Sequence, residues 1–284
     1  MRMKPKIKAI SPETFKEIRK ILDTHKLHTV CEEALCPNIS ECWSARTATF
    51  LLMGDVCTRN CRFCSVKTGD PQGFLDKNEP QNIAKAVKEM GLEYVVLTSV
   101  TRDDLPDGGA GHFAETVKKI KNARVEVLIP DNIDLNVLLD AKPDVIAHNI
   151  ETVRELTPII RDKRTNYDLS LKILRQIKEI NPDILTKSSL LLGFGETEAR
   201  VKASLNDLKA HNVDIVVIGQ YLRPSQNQVQ VIEYISDENF KKYEDYCRQI
   251  GIESVISRPL ARSSYKAHIM NKERRTLCST KSLF

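Results

Sequence analysis

No stretch of the 284 residues approaches the roughly 20 consecutive apolar residues that a membrane-spanning helix needs, so no membrane span is expected. Low-complexity tracts are missing as well, and with them the collagen-like and disordered classes. Aromatic residues are sparse at 6%, with a single Trp, and none are interleaved with a basic stretch in the manner of a nucleic-acid reader, so no nucleic-acid partner is expected. The start, "MRMKPKIKAI", is basic but carries no apolar core of roughly 7–15 residues like that of a secretory leader, which points to a cytoplasmic protein. A net charge of +5 in a chain this long serves solubility.

Cysteine, by contrast, is abundant and clustered. Six of the eight cysteines fall between residues 31 and 64, as "CEEALCPNISECW" and "CTRNCRFC". In a reducing compartment, thiols grouped in this way are metal ligands or redox groups more often than disulfide partners. The chain is also long enough to build a core without covalent staples.

From residue 48 onward, β-rich runs alternate with helical patterns. "TATFLLMG", "EYVVLTSV", "ARVEVLIP", "DVIAHNI", "ILTKSSLLLG" and "VDIVVIGQYL" read as strands, and amphipathic stretches such as "NYDLSLKILRQIKEI" lie between them. "SDENFKKYEDYCRQIG" reads as a helix capped by Ser236 and ended by Gly251. Alternation of this kind predicts parallel strands with right-handed crossovers. The expected fold is α/β, a partial (β/α)6 TIM-type barrel. Residues 1–46 form a cysteine-bearing N-terminal extension, 47–260 the barrel, and 261–284 a closing C-terminal segment. In such a barrel the loops after the strands carry the chemistry, and "CTRNCRFC" follows the first strand.

Cys57, Cys61 and Cys64 follow a C-x3-C-x2-C spacing in one loop, close enough to reach one metal centre. A structural zinc loop is the plainer alternative. This stretch resembles the radical S-adenosylmethionine superfamily. There, three such cysteines hold a 4Fe–4S cluster whose open iron binds S-adenosyl-L-methionine, which is then cleaved to a radical. Cys31, Cys36 and Cys42 follow C-x4-C-x5-C, which matches neither a zinc finger nor a simple ferredoxin.

With both clusters present, the chain resembles the lipoyl synthase family along most of its length: "TATFLLMGDVCTRNCRFCSV", "TSVTRDDLPDGGAGHF", "HNIET", "LGFGETE", "VIGQYLRPS" and "RSSY". The resemblance implies a sulfurtransferase that inserts two sulfur atoms at C6 and C8 of a protein-bound octanoyl-lysine. It implies two 4Fe–4S clusters, the auxiliary one held by Cys31, Cys36, Cys42 and Ser264, with Ser263 as the adjacent candidate. It implies a pocket for S-adenosyl-L-methionine, to which Thr98, Ser99, Asn149, Glu151, Lys187 and Glu196 are assigned. Arg102, Asp103 and Asp104 are expected to face substrate or cofactor. The implied partners are an octanoylated lipoyl carrier domain or H-protein, a reductant such as ferredoxin or flavodoxin, and a cluster-repair carrier protein. Cys278 is a rival fourth ligand, whereas Cys247 and His148 read as structural. Ser189 and Lys266 stand where glycine and histidine would be expected. The basic tail at 271–281 reads as solvated or as an aid to docking an acidic carrier.

Overall fold

The computed structural model describes residues 12–36, 38–44 and 48–264. Tyr265, Lys266, Cys278 and the basic tail lie outside the described residues. The extension contributes α1 (Pro12–His25), a short strand β1 (His28–Thr29), α2 (Val30–Glu33) and α3 (Ile39–Ser44). The first barrel strand is β2 (Thr49–Leu52), and the cysteine loop beyond it is pinched by β3 (Val56–Cys57) and β4 (Lys67–Thr68). Then come α4 (Glu79–Glu89), β5 (Tyr94–Ser99), α5 (Ala110–Lys119), β6 (Arg124–Leu128), α6 (Leu135–Asp140) and β7 (Val145–Ala147). A short α7 (Thr157–Ile160) precedes α8 (Tyr167–Ile180), β8 (Leu185–Leu192), α9 (Glu198–Ala210), β9 (Ile215–Gln220), α10 (Asp237–Gln249) and β10 (Ser254–Ser257).

The main sheet runs β1-β2-β5-β6-β7-β8-β9-β10. Every neighbour from β2 to β10 is parallel, and only β1 is antiparallel. Six strand–helix units are therefore followed by a seventh parallel strand. No pairing joins β10 to β1 among the described residues, which leaves the barrel open.

Strand alternation sorts each side chain to one of two faces. On β5, Val95 and Leu97 turn outward into a core shared with Ile83 of α4 and Phe113 of α5, whereas Tyr94 and Val96 form a separate patch inside. On β8, Leu190 and Leu192 pack outward on α8, α9 and α10. Each such aliphatic side chain contributes roughly 1.5–3 kcal/mol on full burial. Crossover helices end where their polar residues dictate. Asn166, Thr197 and Ser236 accept hydrogen bonds from free amides at the starts of α8, α9 and α10, as expected for Ser236. Cys247 is fully buried among apolar residues of α10 and its neighbours, a structural residue as expected.

The extension is not a loose appendage. Ile18, Leu22, Leu27, Cys31 and Trp43 join the same core as the barrel strands β2 and β5. At the other end, the chain after β10 crosses β9 so tightly that a Cβ on Gly219 would lie 2.1 Å from the Ala261 carbonyl oxygen. Only glycine permits that crossing, and it brings Arg262, Ser263 and Ser264 to the barrel mouth.

Candidate active site

A cavity of about 560 Å³ opens at the C-terminal ends of the strands. Its volume is in the range of a small-molecule site. Cys57, Cys61 and Cys64 line it, and so do Cys36, Ser263 and Ser264.

The cysteine loop is held by backbone amides and by a network of charges. The Cys57 sulfur accepts from the amides of Arg59 (3.4 Å) and Thr101 (3.3 Å), and the Cys61 sulfur from that of Asp162 (3.3 Å). Arg59, between the first two cysteines, donates both Nε and Nη2 to Asp103 (3.0 and 2.9 Å) and Nη1 to Asp131. Arg164 grips Asp162 (2.8 Å), Asp103 (3.1 Å) and the Thr58 carbonyl (2.6 Å). These bidentate guanidinium contacts fix a loop that has almost no regular structure of its own. Burial pushes the Cys61 thiol up to about 11 and the Cys64 thiol up to about 12; each is opposed mainly by a backbone amide and raised a little by its neighbouring cysteines. Three thiols coupled in this way, with no His or carboxylate between Cys57 and Cys64, form a donor set suited to an iron–sulfur cluster.

The first cysteine set sits beside the second. Cys31 is buried in α2, and its thiol is raised to about 11, chiefly by desolvation and then by nearby Cys36. Cys36 opens onto the cavity and feels the Arg262 guanidinium. Cys42, on α3, is half-buried against the core. Two contacts splice the layers: the Ser65 hydroxyl donates to the Glu33 carbonyl (2.7 Å), and the Asn38 amide to the Leu260 carbonyl (2.7 Å). The second contact, across 222 residues of sequence, ties the extension to the segment bearing Arg262, Ser263 and Ser264.

The residues expected around a sulfonium ligand divide into two groups. Thr98, Ser99, Asn149 and Glu151 line the cavity. The Asn149 amide donates to Glu151 Oε1 (3.0 Å) and its carbonyl accepts from the Ser263 hydroxyl (3.1 Å). Glu151 has φ +64, a left-handed conformation that costs a non-glycine residue about 1–2 kcal/mol and aims its carboxylate inward. Desolvation raises its pKa, against the pull of Arg161.

Lys187 and Glu196 do not join them. Lys187 points into the barrel below the cavity, where its ammonium bonds both oxygens of Glu126 (2.9 and 3.0 Å). Glu196 folds back onto its own turn and accepts from the amides of Gly193 and Phe194. A carboxylate two or three residues past a glycine turn reaches those free amides before it reaches any cavity. Gly193 itself needs φ +117, and a Cβ there would strike Gln220 Nε2 at 2.3 Å.

Arg102 and Asp104 also depart from expectation. Arg102 is fully buried and staples Asp104 (2.8 and 2.7 Å) to the Phe74 carbonyl (2.9 Å), while Asp103 serves Arg59. His148, read from the sequence as structural, bridges the Ile129 carbonyl (2.9 Å) and the Ser170 hydroxyl (3.0 Å) but also lines the cavity. Burial, followed by Arg161, holds its pKa down at about 4.

The sequence reading missed Asp131, Arg161 and Arg262, all of which line the cavity. Their position was the available signal: Asp131 follows "VLIP" at a strand end, and Arg262 directly precedes the serine pair.

Residues 51–208 match the model of the radical SAM superfamily. The chain is 52% identical to lipoyl synthase of Deinococcus radiodurans over 90% of this chain and 80% of that one. It is 50% identical to lipoyl synthase of Thermus thermophilus over 89% and 81%, and 51% identical to that of Pyrobaculum calidifontis over 88% and 89%. Among solved structures, methylornithine synthase (16% identity, TM-score 0.57, covering 86% of this chain and 71% of that one) shares the fold. So does the hydrogenase maturase HydG (18%, TM-score 0.60, 88% and 64%). A cavity lined by Cys36, Cys57, Cys61 and Cys64 at the mouth of an open parallel barrel, together with relatives identical at half or more of the aligned positions over about nine-tenths of the chain, establishes that this chain belongs to the lipoyl synthase family of radical SAM enzymes.

Proposed function

We propose that this chain inserts sulfur at C6 and C8 of an octanoyl group attached to a protein lysine, producing the lipoyl group. The observation that carries the reading is the shared cavity, onto which Cys36 and Ser264 open alongside Cys57, Cys61 and Cys64. Breaking C–H bonds and forming C–S bonds on one immobile chain requires both centres within reach of the same carbons.

Cys57, Cys61 and Cys64 would hold one 4Fe–4S cluster, and Cys31, Cys36, Cys42 and Ser264 a second. When bound, the first of these with S-adenosyl-L-methionine supplies a carbon-centred radical, and the second supplies sulfur. Ser264 is favoured over Ser263 because the Ser263 hydroxyl is already committed to Asn149. Thr98, Ser99, Asn149 and Glu151 orient the polar parts of S-adenosyl-L-methionine. Leu51, Val100, Leu128 and Leu191, all lining the cavity, give the octanoyl chain an apolar wall and exclude water. In this reading residues 1–46 present one cysteine set, 47–260 form the barrel and 261–284 close over it. The open mouth admits a lysyl arm from an octanoylated lipoyl carrier domain or H-protein. A ferredoxin- or flavodoxin-type donor supplies electrons, and a carrier protein restores the spent cluster.

The test is anaerobic reconstitution with iron and sulfide, followed by mass analysis of an octanoyl-lysyl peptide incubated with S-adenosyl-L-methionine and reductant. A gain of two sulfur atoms is expected. Formation of 5′-deoxyadenosine with a desaturated or unchanged peptide would overturn the assignment.

A further inference from the structure

The cysteine loop has a second face. Cys61 and Cys64 line the central cavity and also a separate groove of about 470 Å³; of the two spaces, Cys57 lines only the cavity. The far wall of the groove is the segment 223–230 beyond β9, which is strapped to the loop. The Val229 amide donates to the Arg62 carbonyl (2.9 Å), Gln228 Nε2 to the Cys64 carbonyl (3.2 Å), and the Tyr221 hydroxyl to the Val229 carbonyl (2.8 Å). Phe63, Tyr221 and Val229 pack in one apolar cluster at this strap. Bonded backbone and packed rings close the way from groove to cavity for an acyl chain. An electron needs only proximity.

The charge of the groove indicates what docks there. Two guanidinium groups line it, Arg62 and Arg223, and its other polar side chains, the cysteines aside, are five uncharged amides. Arg62 is exposed and donates to the Ile159 carbonyl (3.3 Å), and Arg223 donates to the carbonyls of Gln228 (2.7 Å) and Gln226. Neither meets a carboxylate among the described residues, whereas Arg59 and Arg164 around the same loop both hold one. The groove therefore keeps its positive charge unneutralised. Ile159, 51% exposed, adds an apolar spot beside Arg62. A small polar face of one charge suits a transient electron-transfer complex, which buries little surface and is steered by opposite charge.

Resting on the reading that Cys57, Cys61 and Cys64 hold the cluster that cleaves S-adenosyl-L-methionine, we propose that the Arg62–Arg223 groove is the docking face for a small acidic one-electron donor protein. In that reading cofactor and octanoyl chain fill the cavity, so the electron enters from the groove through Cys61 and Cys64. The donor is oxidised by one electron, the centre held by the loop is reduced by one, and no atom passes between the proteins. The two protein partners then use different faces: the lysyl arm enters at the cavity mouth while the donor sits against the strap.

Titration of the anaerobically reconstituted protein with an acidic flavodoxin, at low and at raised salt, tests this without turnover, with an octanoylated carrier domain titrated in parallel. Wild type is expected to bind the flavodoxin with an affinity that falls as salt rises. Arg62→Glu and Arg223→Glu should each weaken that binding about tenfold or more, and Gln226→Glu about threefold, at unchanged iron content. Gln226 is exposed and its side chain makes none of the strap's bonds, so this variant carries the test if an arginine variant fails to fold. Lys121→Glu makes the same change of charge between α5 and β6, at the opposite end of the barrel, and should stay within about twofold of wild type. Carrier-domain affinity should stay within about twofold in all four variants. No flavodoxin binding by wild type, unchanged binding in Arg62→Glu and Gln226→Glu, or an equal loss in Lys121→Glu would each overturn the proposal. So would loss of carrier-domain affinity with flavodoxin affinity kept, which would give the groove to the carrier. A wild-type protein that binds flavodoxin but forms no 5′-deoxyadenosine with dithionite would instead overturn the cluster reading beneath it.

Discussion

Removing the Lys187 ammonium should be among the most destabilising single changes in the barrel. Lys187 and Glu126 are each 1% exposed, the ammonium bonds both carboxylate oxygens, and the Tyr94 hydroxyl adds a third contact to Glu126 at 2.6 Å. Lys187→Met keeps the volume but strands a carboxylate in the interior with one remaining donor. Breaking such a pair from one side costs about 3–5 kcal/mol, a large share of the roughly 5–15 kcal/mol of a typical fold. In a thermal melt followed by circular dichroism this corresponds to a drop of roughly 6–20 °C. Adding Glu126→Gln removes the stranded charge while leaving an oxygen for Tyr94, so the double variant should regain at least about half of the loss. Because the pair lies beneath the cavity, the double variant should bind S-adenosyl-L-methionine within about threefold of wild type. A single-variant loss under about 1 kcal/mol, or a double variant no more stable than the single, would refute the buried-pair reasoning. Loss of ligand affinity in a stable double variant would return Lys187 to the cavity.

Three further outcomes follow from the same geometry. Ser264→Ala should abolish sulfur insertion but leave 5′-deoxyadenosine formation intact, whereas Ser263→Ala, losing one neutral hydrogen bond to Asn149, should weaken S-adenosyl-L-methionine binding roughly fivefold; product analysis and equilibrium binding read the two. Arg102 holds the Asp104 carboxyl down at about 2, below its ordinary value of 3.8. Because the folded value is depressed, the stability from this pair is present above about pH 4 and is lost as pH falls through 2; it amounts to at most about 2 kcal/mol, and acid titration of Asp104→Asn should lack that limb. Gly219→Ala should displace the crossing chain at Ala261, giving a protein that keeps its helix content but loses product formation; full activity would show that the tight crossing is dispensable.

Much of this was legible because periodicity and spacing are local. Alternation predicted the strand–helix units, and the clustered cysteines located the chemistry on the first barrel loop. Lys187 was misread because a strand residue's face is set by register: whether a buried lysine meets a cavity or a carboxylate depends on Glu126, 61 positions away. Glu196 was misread because its near partners, the Gly193 and Phe194 amides, exist only once the turn has formed. Asp131 has no spacing signature, and its place in the charge network appears only once the fold brings Arg59 to one of its oxygens. Ser263 and Ser264 are adjacent and chemically identical in sequence, and a single hydrogen bond to Asn149 distinguishes them.

The most direct measurement of the central claim is the isotopic composition of the product sulfur. Protein reconstituted with heavy sulfide, freed of unbound sulfide and given octanoyl-lysyl peptide in buffer containing only light sulfur should yield, in one turnover, a product carrying two heavy sulfur atoms. Light sulfur at either carbon would contradict the claim that the cysteine set at 31–42 holds the sulfur source.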